Sequence, residues 1–177
     1  KILKNLYYTE KKLLPILHNF CEKKKIKFKI LPGRDNFQIE NDHYKEILKS
    51  DNFFLYKKDV NQSYNIIDSS MICAGIDSTL VFEGLSRSNK IAFFNFGLNL
   101  PKNKYDISYI LQHGFSKEGK FWLNYYNKKK INKILEYLYN TKIVKWKKQN
   151  ISKINQLPYY KNNIKLKKIL KKIILNI

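Results

Sequence analysis

The strongest constraint in this chain is an alternation, repeated four times in the first 95 residues, of a helical pattern with a short apolar strand pattern. From Leu13 to Lys24 the apolar residues Leu13, Leu14, Ile16, Leu17 and Phe20 share one helical face, with Pro15 tolerable only near a first turn. Lysine then alternates with Ile26, Phe28 and Ile30 up to Leu31, the period of a strand, and Pro32-Gly33 stops it. The same pairing recurs as a helix over Glu40 to Lys49 with a strand at Asn52 to Tyr56, and a helix over Ser63 to Ser69 with a strand at Met71 to Ala74. A helix over Ser78 to Ser88 followed by a strand at Lys90 to Asn95 completes it. Such alternation predicts right-handed crossovers onto a mostly parallel sheet, a Rossmann-like, doubly wound α/β fold. Ligand chemistry is expected at the carboxyl ends of the strands.

The rest of the chain is less regular. From Phe96 to Asn124, with Gly97, Pro101, Gly114 and Gly119, no period emerges, which marks a functional loop or a hidden element. Helix resumes over Lys128 to Tyr139, where Ile131, Ile134, Leu135 and Leu138 form one face. The last segment, IKLKKILKKIILNI, sets Leu166, Ile169, Leu170, Ile173, Ile174 and Ile177 against five lysines, so a basic amphipathic helix ends the chain. Such a helix either lies on an anionic membrane surface or docks its apolar stripe on protein. The expected division is a binding domain over residues 1–146 and a basic helical tail over residues 147–177.

Charge narrows the partners. The net charge is +21, and residues 121–177 hold 15 Lys against the single acid Glu136. Yet 33 of the 35 basic residues are Lys, and Lys, Asn and Ile make 76 of 177 residues, the bias an AT-rich genome produces. Phosphate and base-edge readers favour the planar fork of Arg, so specific nucleic-acid binding is not expected. With 24 Phe and Tyr residues the chain is too rich in core formers to be a disordered basic tail. No run approaches the roughly 18 to 20 apolar residues of a membrane span, and the start KILKNLYYTEKK lacks the apolar core of a signal peptide. Cys21 and Cys73 show no metal-ligand or disulfide spacing, which fits a reducing, cytoplasmic setting. The chain begins with Lys1 rather than Met and reads as a trimmed or partial product.

The sharpest chemical signal is CAGIDSTLVFEG, Cys73 to Gly84. A strand ends at Gly75, and Asp77, Ser78 and Thr79 occupy the cap and first turn of the next helix, where outward N–H groups, short hydroxyls and the helix dipole suit a diphosphate. Glu83 follows on the side of Ser78 and Thr79, where a carboxylate accepts hydrogen bonds from a ribose diol. The bland alternative is that Asp77 or Ser78 is simply an N-cap and Glu83 a solvated helix residue.

These residues also resemble a known family. IDSSMICAGIDSTLVFEGLSRSNKIAFFNF, with LPILHNFCEKKKIKFKILPGR before it and KFWLNYYNKKKINKILEYLY after it, is similar to the C-terminal half of bacterial surface carbohydrate biosynthesis proteins of the GT-B glycosyltransferase type, over residues 7–146. The resemblance implies a domain that binds a nucleotide-sugar donor and passes the sugar to a glycan or lipid-linked glycan acceptor. It puts Ser78 and Thr79 at the phosphates, Glu83 at the ribose or base, and Gly33 and Arg34 near the donor phosphates. GT-B enzymes take their catalytic base from an N-terminal domain, so the chain alone is expected to bind rather than catalyse, at the inner face of the cytoplasmic membrane. A nucleotide-sugar epimerase of similar architecture and a non-enzymatic basic binding module are the alternatives.

Other residues carry two readings each. Arg34 is either a phosphate clamp or a surface partner of Asp35 or Glu40. Ser63 and Tyr64 either approach the sugar, as the resemblance implies, or merely open a helix. His18, His43 and His113 read as satisfied or exposed, with no metal site and no cofactor expected. Cys73 reads as buried and inert, and Phe121, Trp122, Tyr125 and Tyr126 as packing.

Overall fold

The computed structural model describes residues 2–31, 33, 36–56, 60–76, 78–96 and 117–156. The first helix, α1 (Ile2–Lys24), begins well before the expected start at Leu13, so Pro15 lies in its interior. An interior proline costs about 3 kcal/mol through its missing N–H and ring clash. Leu13, Ile16, Leu17 and Phe20 around it are all buried, at roughly 1.5 to 3 kcal/mol each, and outweigh that cost. Lys25, at φ 54°, turns the chain out of the helix.

The expected strands appear in order but shortened. β1 (Lys29–Ile30) pairs in parallel with β2 (Phe54–Leu55), and α2 (Phe37–Leu48) connects them. Helix α2 starts three residues before the expected Glu40 because Asn36 caps it, its side chain accepting from the Ile39 N–H at 3.1 Å. α3 (Val60–Ser69) leads to β3 (Cys73–Gly75), and α4 (Thr79–Ser86) to β4 (Ile91–Phe94). β3 and β4 pair in parallel in the register Cys73 to Ile91. The stretch read as irregular holds a further strand, β5 (Trp122–Leu123), which pairs in parallel with the other edge of β4. All four residues of β4 are fully buried, as a central strand covered on both faces requires.

The expectation of one sheet is therefore met in part. The named strands pair only in parallel, but they lie in two small sheets, β1-β2 and β3-β4-β5. A cavity of about 700 Å³ is walled by Ile26 to Leu31 around β1 and by Ile72 to Ile76 around β3, between the two sheets.

Two more helices close the core. α5 (Lys128–Asn140) is capped by Asn127, which accepts from the Lys130 N–H at 3.0 Å, and buries the face expected of it: Ile131, Ile134, Leu135 and Leu138. α6 (Ile143–Gln156) runs across the expected boundary between residues 146 and 147 and carries Trp146 and Ile154 into the core. The Trp146 indole donates to the Asn89 carbonyl at 3.1 Å and meets Phe121 edge-on at 5.0 Å. The basic amphipathic segment 164–177 lies outside the described residues, as does most of the irregular stretch, 97–116. Among the described residues no helix is long and apolar enough to cross a membrane.

Candidate functional site

The turn from β3 into α4 is built on a close approach of backbone to helix. A Cβ at Gly75 would sit 3.0 Å from Val81 Cβ and 3.2 Å from its Cγ1, and would collide with Cγ2, so only glycine fits. Ser78 is the N-cap of α4, as expected, with extended backbone at φ −100° and ψ 131°. Its hydroxyl makes no capping hydrogen bond, unlike the side chains of Asn36 and Asn127. The bland reading of Ser78 as an ordinary cap therefore accounts for its place and not for its side chain.

Of the residues singled out in the sequence, Gly33, Ser63, Gly75 and Ser78 all line the cavity between the sheets. Gly33 follows β1, while Gly75 and Ser78 end and follow β3, so the carboxyl ends of β1 and β3 open on one space. Thr79 is exposed in the first turn of α4. Arg34 and Asp77 lie outside the described residues. Glu40, considered as a surface partner for Arg34, is instead buried at 3% exposure and lines the cavity beside Gly33.

Tyr64 and Glu83, 19 residues apart, are brought into direct contact. The Tyr64 hydroxyl donates to Glu83 Oε2 across the packed helices α3 and α4. That bond to a carboxylate pushes the phenol above its ordinary range. Glu83 is half-buried and hydrogen-bonded, so it is not the solvated helix residue of the bland reading.

The histidines hold two contacts the sequence reading missed. His18 is buried, its Nε2 3.0 Å from the Asn52 carbonyl, which is the satisfied core histidine expected. It also stands at i, i+4 from Glu22, with Nδ1 3.8 Å from Oε2. His43 is not isolated: its Nε2 lies 3.1 Å from Glu10 Oε2, tying α2 to α1 at the cavity wall. Those partners are 33 residues apart on different helices, and no local spacing marks them. Among the described residues no group of His, Cys, Asp and Glu is placed to hold a metal ion. Cys21 and Cys73 also line the cavity, and burial pushes their thiols up to about 11 and about 12, so both stay protonated at neutral pH. Phe121 is packing, as expected, and Tyr126, exposed on the side beneath the Lys12 ammonium, meets the buried Phe96 ring edge-on at 5.6 Å.

The cavity wall is mainly apolar, with polar groups at Gly33 and Ser78 beyond the strands, at the Glu10, Glu40 and His43 corner, and at Lys27, Lys29, Ser63, Ser69 and Ser70 along the wall. A mainly apolar wall with a few polar groups is common for small-molecule sites. No curated protein and no solved structure matches the chain. A family model described as "putative O-antigen biosynthesis protein" matches residues 2–174, nearly the whole length. The chain belongs to this O-antigen biosynthesis family.

Proposed function

We propose that this chain binds a nucleotide-activated sugar, as the donor side of a glycosyltransferase in O-antigen biosynthesis. The observation that carries this reading is Ser78, which stands at the N-terminus of α4, does not use its hydroxyl as a cap, and lines the same cavity as Gly33, Ser63 and Gly75. Outward N–H groups and the positive end of the helix dipole favour a diphosphate there. The strand order supports it as well. The sheets β1-β2 and β3-β4-β5 are separate, with β1 and β3 on the cavity wall; joined at those strands they would read β2-β1-β3-β4-β5, the doubly wound order that reverses between β1 and β3. Ligands of such folds bind at the carboxyl ends beside that reversal. The resemblance makes Glu83 the partner for the ribose hydroxyls; Glu83 and Tyr64 hold each other across α3 and α4, and neither is among the residues that line the cavity. The acceptor is a glycan or lipid-linked glycan, and the basic C-terminal segment is the part suited to an anionic membrane surface at the cytoplasmic face.

The test is thermal unfolding against UDP, GDP, CMP and their sugars, with Glu83→Ala as control. At about 100 times the dissociation constant a ligand adds about 2.7 kcal/mol, which raises the midpoint by roughly 5 to 11 °C for a domain of this size. A shift of that order for one base, lost in Glu83→Ala, supports the reading. No shift with any of them, in a chain that melts cooperatively, refutes it for this chain. Turnover of the donor without an acceptor favours an epimerase instead, and a response that ignores Glu83 and collapses with salt favours a charge-driven binder.

A further inference from the structure

Helix α6 meets the core along one narrow stripe. Trp146, Asn150 and Ile154 stand at i, i+4 and i+8 and are buried, and the Asn150 amide donates to the Trp146 carbonyl at 2.9 Å, so it is satisfied within the helix. Beside that stripe stand three large apolar residues that the core does not take. Ile143 is 42% exposed, Ile151 49% and Val144 75%, the most exposed large hydrophobic residue among the described ones. Ile143, Lys147 and Ile151 follow one another at i+4 along one row of the helix, and Val144 and Lys148 do so along the adjoining row. These five residues form a single flank.

The charge on this flank has one sign. Every charged residue of α6 is a lysine, Lys142 precedes it, and no acid follows Glu136 to the end of the chain. Lys142, Lys145, Lys147 and Lys148 are all exposed. Single exposed apolar residues are ordinary on any protein surface, but here three of them share a flank with lysines and no carboxylate. That composition suits a surface that is negative outside and apolar just beneath. The lysine stem lies along its aliphatic neighbours while the ammonium reaches a phosphate. A second copy of the chain fits badly, since a symmetric contact sets these lysines against their own counterparts in a protein of net charge +21. Among the described residues no helix is long and apolar enough to cross a membrane, so a lipid contact of α6 lies along the interface.

We propose that the flank of Ile143, Val144, Lys147, Lys148 and Ile151 rests on an anionic lipid surface, with the aliphatic side chains at the acyl boundary and the lysines among the lipid phosphates. This contact is independent of the nucleotide-sugar reading, and it differs from the basic segment 164–177 in belonging to a helix whose other side is packed in the core. Trp146 ties α6 to Asn89, the third residue beyond α4, so lipid contact fixes the orientation of the element whose N-terminus borders the cavity.

The experiment is co-sedimentation of the chain with vesicles of phosphatidylcholine alone and of phosphatidylcholine with phosphatidylglycerol in equal parts. The native chain should bind the anionic vesicles and leave them as salt rises. Val144→Ser combined with Ile151→Ser should weaken that binding at least about tenfold, and Lys147→Gln combined with Lys148→Gln about 30-fold, at about fivefold per lysine. Two controls should each change it less than about threefold: Ile39→Ser, at an exposed apolar residue of α2, and Lys128→Gln with Lys129→Gln, the same charge change on α5. The substituted flank positions are exposed, so urea midpoints should stay native. Val144→Trp gives a second readout: it should bind more tightly, and its emission should shift to the blue on anionic vesicles. A native chain that ignores anionic vesicles overturns the proposal, and so does binding that the flank variants keep. Self-association that Val144→Ser abolishes overturns it in favour of a second copy. Nucleotide-induced thermal shifts are read without vesicles, so either reading can fail while the other stands.

Discussion

Replacing Gly75 with alanine tests the geometry on which the β3–α4 turn depends. The new methyl would meet Val81 Cβ at 3.0 Å and Cγ1 at 3.2 Å, and would overlap Cγ2, in a wall where Val81 is 7% exposed and its neighbours Phe82 and Leu85 are fully buried. Overpacking of this kind costs typically 1 to 3 kcal/mol, and the severity of the overlap puts Gly75→Ala near the top, at about 3 kcal/mol. Val81→Ala alone removes two methyl groups from a buried position, at about 0.8 kcal/mol each with a cavity term on top, or roughly 2 kcal/mol. If the clash is the cause, the double variant relieves part of it. Its total should be about 3 to 4 kcal/mol instead of the roughly 5 of independent effects, a coupling of at least about 1 kcal/mol. Urea unfolding of the four proteins at constant m-value measures this, and the single Gly75→Ala should melt about 6 to 12 °C below the native chain. Strict additivity, or a Gly75→Ala protein within about 0.5 kcal/mol of native, would refute the close approach as the reason for glycine.

Other outcomes follow from the same geometry. Asn36→Ala, which removes a formed cap, should cost about 1 kcal/mol in urea unfolding, whereas Ser78→Ala should cost almost nothing in stability yet weaken nucleotide binding; equal stability losses would show Ser78 to be an ordinary cap. Trp146→Ala should cost about 3 to 5 kcal/mol, through lost packing on Phe121 and the orphaned Asn89 carbonyl, and a smaller loss would mean α6 is a peripheral appendage. Cys73, its thiol pushed up to about 12 by burial, should react with iodoacetamide at pH 8 far more slowly than after unfolding in urea. Because that folded-state value exceeds the unfolded one, above about pH 8.5 the unfolded chain loses a thiol proton that the native chain keeps, so stability should fall with pH there; a rise would reverse the assignment. Glu10→Gln should loosen α1 against α2 by about 1 kcal/mol while leaving nucleotide affinity unchanged, and a specific loss of affinity would place the His43 corner in contact with the ligand.

What could be read along the chain was what local periodicity encodes. The faces of α1 and α5 and the apolar run of β4 follow from spacing, and each is buried where expected. The turn at Gly75 and Ser78 was visible because strand end, glycine and small hydroxyl residues are neighbours in sequence. β5 was not, since two paired residues inside an aromatic, glycine-bounded stretch carry no period, and only the edge of β4 makes them a strand. The start of α1 was misjudged because Pro15 argues locally for a boundary, while tertiary burial of its neighbours decides against one. α6 left a faint trace: Trp146, Asn150 and Ile154 stand at i, i+4 and i+8, and all are buried, but lysines and polar residues between them mask the stripe. The contact of Tyr64 with Glu83 and the pair of Glu10 with His43 join different helices, and no spacing along the chain announces either.

The gap between the two sheets also has a mechanical meaning. A continuous five-stranded sheet would transmit a pull on β2 to β5 through an unbroken ladder, whereas here the hydrogen-bonded connection stops at β1 and resumes at β3. The α2 side and the α4 side are therefore joined through helix packing and the cavity walls, and a molecule that fills the cavity becomes a structural strut between them. Its arrival should stiffen the whole domain, slowing amide exchange in β1 and β3 together, and its departure should return them to independent motion.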